Sequence, residues 1–189
     1  MSTSLAVVLL ATTMRLVASH DVSRVGYADG APPGFSGGFK EDSCQACHFH
    51  EPLNAAPGKL TIDGAPAAFV PGERYTLTIT LIRDGMKLSG FQLAARFKET
   101  GAQAGTLAAA AEDAERIKIE SSSSIQYAGH KLAGSKVSEA GIARWVVQWT
   151  APSSGGAVIF NVSANAANGD ERVDGDFIYS ASIETAPPP

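Results

Sequence analysis

Between Arg74 and Ile82 apolar and polar residues alternate without a break, with Tyr75, Leu77, Ile79 and Leu81 set against Thr76, Thr78 and Thr80. A period of two puts successive side chains on opposite faces, so the run reads as a strand with one face in a core. The pattern returns in Phe91, Leu93, Ala95 and Phe97, in Ile117 and Ile119, and in Trp145, Val147 and Trp149. It continues in Val158, Phe160, Val162 and Ala164, then in Phe177, Tyr179, Ala181 and Ile183, with 59–62 as a short first strand. Turn signals separate the runs: Pro71-Gly72, Asp84-Gly85 and Ala151-Pro152. About seven or eight such strands imply an all-β chain folded as an antiparallel β-sandwich. Trp145 and Trp149 then belong to the core. The alanine-rich stretch 107–116, with Glu112, Asp113 and Glu115, reads as one or two helical turns.

One stretch stands apart from this regularity. Cys44-Gln45-Ala46-Cys47-His48 holds both cysteines of the 189 residues, and Phe49 and His50 follow at once. Two thiols at this spacing with a histidine directly after form the pattern of a c-type haem attachment site. Cys44 and Cys47 supply thioether bonds to one covalent haem c, and His48 reaches the iron as proximal axial ligand. Three other readings share the pattern. A Cys-x-x-Cys pair also serves as a redox dithiol, as part of a zinc site completed by His48 or His50, or as a plain disulfide. The motif is expected on a loop or one short helical turn, because Pro52 stops anything longer.

Four segments follow from the punctuation. Residues 1–19 resemble an export signal: Leu5-Ala6-Val7-Val8-Leu9-Leu10-Ala11 is apolar but too short to span a membrane, and Val17-Ala18-Ser19 fits a small-residue cleavage pattern. No Lys or Arg precedes the apolar run, and Arg15 lies just before the cleavage pattern. Residues 20–58, punctuated by Gly, Pro and Ser, form a loop-rich segment that carries the cysteine motif. Residues 59–185 form the sandwich, and 186–189 a frayed tail. Export places the chain in the periplasm or outside the cell, which agrees with covalent haem attachment. A net charge of −4 gives no reason to expect nucleic acid as a partner, and nothing in 20–189 is long and apolar enough for an integral membrane span.

Short motifs along the chain stand in a recognisable order. They run from Gly26-Tyr27 through Pro32-Pro33-Gly34 to the cysteine motif, Val70-Pro71-Gly72, and Ser89-Gly90-Phe91-Gln92-Leu93. Gly105-Thr106-Leu107, Tyr127-x-x-His130 and Trp149-Thr150-Ala151-Pro152 come next. Asn165-Ala166-Ala167-Asn168-Gly169 and Gly175-Asp176-x-Ile178-Tyr179 close the series. In these the chain resembles the bacterial branch of the Reeler (reelin N-terminal) domain family, grouped with choice-of-anchor domains, over about residues 25–185. The resemblance implies an immunoglobulin-like β-sandwich in an exported protein. Many bacterial members carry the cysteine-histidine motif near the start; animal members lack it and use the domain for extracellular interaction.

A haem held at Cys44, Cys47 and His48 needs a sixth iron ligand or an open site. His130 matches the histidine of the family's corresponding motif and is the first candidate, read here as a residue between strands. Animal members without haem also have a histidine there, which leaves it a role in the fold. Met86, in the turn Asp84-Gly85-Met86-Lys87, is the alternative, and it would raise the potential relative to a second histidine. His50 is too close to His48 to reach the opposite haem face. His20, as a mature N-terminus, would suit copper through its amine and ring together with a second histidine. Asp170, Glu171, Asp174 and Asp176 form an acidic loop with oxygen donors for calcium but without EF-hand spacing. Ser121-Ser122-Ser123-Ser124 reads as a polar connector, and no catalytic triad or phosphate-cradling loop is visible. The functional expectation is an electron-transfer cytochrome rather than an enzyme, working with an unidentified redox partner protein. The competing expectation is a haem-free cell-surface binding module with Cys44–Cys47 as a disulfide or metal clip.

Overall fold

The alternating runs become strands in the computed structural model, which describes residues 27–188. The signal-like run, the rest of residues 1–19 and His20 lie outside the described residues. Nine strands follow in order: β1 (Lys59–Asp63), β2 (Arg74–Ile82), β3 (Leu88–Phe97), β4 (Thr106–Ala109), β5 (Ile117–Ser122), β6 (Ile125–His130), β7 (Ile142–Thr150), β8 (Val158–Ala167) and β9 (Phe177–Thr185). They form two sheets, one of order β1-β2-β7-β4 and one of order β5-β6-β3-β8-β9. Every pairing within the sheets is antiparallel. This is an all-β, immunoglobulin-like sandwich, as expected.

The core forms where the two inner faces meet. Leu77, Ile79, Leu81, Trp145, Val147 and Trp149 from the four-stranded sheet are fully buried. They face Phe91, Leu93, Phe160, Val162 and Tyr179 of the other sheet in one cluster. Aromatic contacts tie the layers together: Phe91 stacks on Trp145 with ring centroids 4.6 Å apart, and Trp149 meets Phe160 edge-on at 4.8 Å. Each indole N–H keeps a partner, Trp145 donating to Gly134 O at 2.8 Å and Trp149 to Ala104 O at 2.9 Å. Burying an indole without such a partner would leave a costly orphan donor.

The alanine-rich stretch holds one helical turn, the 3₁₀ turn Ala111–Asp113, while β4 takes its first residues as an edge strand on β7. Leu107 turns inward at 5 % exposure, and Asp113, buried at 3 %, accepts Val146 N–H at 2.6 Å and pairs with Arg116. Tertiary pairing therefore outweighs a helical propensity too short to nucleate alone. One expectation is corrected: His130 does not sit in a loop between strands but ends β6. Ser123 and Ser124, both at positive φ, make the two-residue turn from β5 into β6. That is a hairpin geometry in which Asn-Gly is the usual signal, so a serine run hides it.

The segment from Tyr27 to Glu51 lies over the outer face of the five-stranded sheet. That face carries polar side chains, and the segment uses them to satisfy its own backbone. Gln92 Oε1 accepts Gly34 N–H at 3.0 Å and Phe35 N–H at 2.6 Å, while its Nε2 donates to Pro32 O at 2.8 Å. Glu41 accepts from Ser36 Oγ at 2.6 Å, from the Tyr127 hydroxyl and from the Arg96 guanidinium. Cys44 N–H donates to Ser163 Oγ at 3.1 Å. A chain stretch without regular structure is thereby fixed against the sheet.

Candidate functional site

The cysteine motif occupies a single 3₁₀ turn, Cys44–Ala46. Ser43 Oγ accepts Gln45 N–H at 3.2 Å, and the amides of Cys47 and His48 both donate to Cys44 O, at 3.2 and 3.0 Å. This winding brings both thiols and the His48 ring to the wall of one cavity of about 790 Å³. The volume falls in the roughly 300–1,000 Å³ range of cofactor sites. Leu88 to Gln92 of β3 line it, with His130 of β6, Asn165 of β8 and Asp176 of the β8–β9 loop. Exposed Tyr27, Glu171 and Arg172 also line the cavity and give it a solvent-facing rim. Both cysteines are unbonded, and burial pushes the Cys44 thiol up to about 11, a shift the Ser163 hydroxyl only partly offsets.

His48 is held from behind. Its Nδ1 lies 2.7 Å from Asp176 Oδ2, and Asp176 is 2 % exposed. His50 makes a parallel pair with Asp174 at 2.8 Å, but both of those side chains are about half exposed.

His130 enters the cavity because the β3–β6 ladder stops early. Backbone pairing runs from Ala94–Tyr127 to Gln92–Gly129 and no further. The next amide, Phe91 N–H, donates instead to His130 Nδ1 at 3.1 Å. The ring then lies over Gly90, where a Cβ would be 2.4 Å from Cε1. Burial lowers the pKa of His130 from its ordinary value, which favours the neutral imidazole. Gly90 pairs directly with Asn165 on β8, and Asn165 Nδ2 lies 3.4 Å from both His48 ring nitrogens. The two imidazoles therefore stand over cross-strand neighbours, whose Cβ positions are about 5 Å apart in such pairs.

The remaining candidates lie elsewhere. Met86 is 4 % exposed within the hydrophobic core and lines a separate cavity of about 220 Å³ that contains neither cysteine. The acidic loop does not assemble as a cation cage. Asp176 holds His48, Asp174 pairs with His50 and Arg172, and Asp170 accepts Arg172 N–H at 2.9 Å. Among the described residues no three His, Cys, Asp or Glu side chains converge as a metal site would require.

Fold and site together define a Reeler-like β-sandwich carrying a Cys-x-x-Cys-His motif in the wall of a large cavity. The likeness is to solved structures. The human F-spondin reeler domain superposes with a TM-score of 0.52 at 20% identity, over 72% of this chain and 93% of that one. The Reelin-N domain of F-spondin superposes with a TM-score of 0.50 at 21% identity, over 77% and 98%. No protein-family model matches the chain, and no curated protein matches it either. Among the described residues no helix is long and apolar enough to cross a membrane.

The donor set fits a c-type haem. Two thiols and an imidazole share the cavity with a second, buried imidazole, and Asn165 Oδ1 is buried in the described structure without a hydrogen-bond partner. Cys44, Cys47, His48 and His130, the residues singled out in the sequence, all line this cavity. The sequence pattern places Asp176 among calcium donors and assigns nothing to Gly90 or Asn165, whose roles depend on which strands become neighbours.

Proposed function

We propose that the protein is an exported, single-haem c-type cytochrome that transfers electrons to or from a partner protein. The observation that carries this reading is the convergence of Cys44, Cys47, His48 and His130 on one cavity of about 790 Å³. Covalently bound, a haem supplies an iron centre that takes up and releases one electron at a time. Cys44 and Cys47 would hold the haem covalently, on a turn whose Cys44 backbone is fixed to Ser163 of β8. His48 would bind the iron through Nε2, since its Nδ1 is engaged by Asp176. His130 would be the sixth ligand, because it shares the cavity with the motif whereas Met86 does not; binding iron through Nε2 would require its proton on Nδ1, donating to Phe91 O at 3.4 Å in place of accepting Phe91 N–H. The five-stranded sheet closes the inner side of the cavity, and the rim at Tyr27, Glu171 and Arg172 leaves an edge for a partner to approach. The apolar run and small-residue pattern in 1–19 support export.

The test is to express the chain with a cytochrome c maturation system and extract the product with acid acetone. A c-type reduced spectrum that stays with the protein is the expected result. In the His130→Ala variant the low-spin spectrum should be lost, while Met86→Leu should keep it. A colourless protein would overturn the cytochrome reading and put the haem-free binding module first.

A further inference from the structure

The carboxylate behind His48 is better fixed than a surface ion pair. Asp176 Oδ1 accepts Asn168 N–H at 3.0 Å, and Oδ2 receives Asn165 Nδ2 at 3.4 Å. Gly175, at φ 76°, turns the chain so that the aspartate points inward just ahead of β9. Asp176 is 2 % exposed, so the charge is little screened by solvent or salt. The neighbouring pair His50–Asp174 has the same chemistry at 47% and 46% exposure and contributes little by comparison.

An ionised carboxylate only accepts hydrogen bonds, so the His48 nitrogen that faces it, 2.7 Å away, carries the proton. In a neutral ring the lone pair is then on Nε2. We propose that Asp176 is the positioning residue of the site: it fixes the tautomer and orientation of His48 and strengthens Nε2 as a donor to the haem iron. The proposal rests on the haem reading above. Carboxylate–histidine–metal relays of this kind raise ligand basicity and hold ring orientation. A stronger, more negative donor stabilises ferric iron over ferrous, so Asp176 lowers the potential of this centre.

The test compares wild type, Asp176→Asn, Asp176→Glu and the exposed control Asp174→Asn, all matured with haem. Acid-acetone extraction comes first, then midpoint potential by optical titration. Haem absent from the wild type would remove the haem reading and this inference with it. With haem bound throughout, Asp176→Asn should shift the ferric/ferrous balance about tenfold toward ferrous, a rise of about 59 mV for one electron. Asp176→Glu should recover part of that shift, and Asp174→Asn should show none. An Asp176→Asn potential equal to wild type would overturn the role of Asp176 while leaving the cytochrome intact. A second measurement needs no variant. Nitrogen-15 histidine NMR of the diamagnetic ferrous protein should show a proton on His48 Nδ1 that exchanges slowly with water, and exchange as fast as that of a solvent-exposed ring N–H would overturn the proposal.

Discussion

A Cβ at residue 90 would lie 2.4 Å from His130 Cε1 and 2.9 Å from both ring nitrogens, so the space above Gly90 belongs to the imidazole. The constraint is room rather than backbone conformation, because Gly90 is not among the glycines at positive φ. Gly90→Ala must therefore displace the ring and take Nδ1 away from Phe91 N–H. Overpacking of this kind costs about 1–3 kcal/mol, and the orphaned amide adds to it. The denaturant midpoint should fall accordingly with the m-value unchanged, and the haem-loaded variant should lose the spectrum that depends on His130. Gly129→Ala is the control, since its Cβ would meet only Phe91 O at 3.6 Å. A Gly90→Ala protein as stable as wild type, with an unaltered spectrum, would mean that the ring does not need this space.

At the scale of elements, the segment over the sheet depends on few anchors, and Glu41 is the one that reaches two strands at once. It holds Ser36 within its own segment and reaches Arg96 on β3 and Tyr127 on β6. Burial and the adjacent carboxylate together push the Tyr127 phenol well above its ordinary range, so it remains a donor. Glu41→Gln keeps the shape but leaves Arg96 with a neutral acceptor. Hydrogen bonds to charged groups are worth about 1.5–3 kcal/mol each, so a loss near 2 kcal/mol is expected, with faster proteolysis confined to residues 27–51. Uniform protection of the segment in the variant would show that Gln92 and Ser163 suffice. Little of this arrangement is legible in sequence. β2 could be read to its last residue because its pattern has a buried face and a polar one. β6 could not, because Tyr127-Ala128-Gly129-His130 is buried on both sides and the serine turn before it carries no glycine. The cysteine motif is local and declares itself, whereas Asp176 meets His48 from 128 positions away in the chain, through a sheet order that no local pattern encodes.

The whole molecule separates its stability from its proposed chemistry. The core that joins the sheets contains Trp145, Trp149, Phe160 and Leu77, and the cavity lies outside it, between the five-stranded sheet and the covering segment. Phe91 is the link, lining the cavity while stacking on Trp145. A haem-free Cys44→Ala/Cys47→Ala chain should therefore fold cooperatively, and its pH dependence isolates His130. Desolvation lowers the pKa of that ring in the folded state below its ordinary 6.5. Between the two values the unfolded chain binds more protons, so stability falls as the solution is acidified. The contribution from His130 is complete above about pH 6.5, is lost as pH drops through the folded value, and is constant below it. Replacing His130 with Gln in the same background keeps an acceptor for Phe91 N–H but removes the titration. Urea melts from pH 8 down to about 4 should give parallel stability curves above pH 6.5 and a shallower acid slope for the Gln variant. Equal slopes throughout would mean that the ring is hydrated in the folded state, which would leave His130 too exposed to be the buried ligand proposed for the iron.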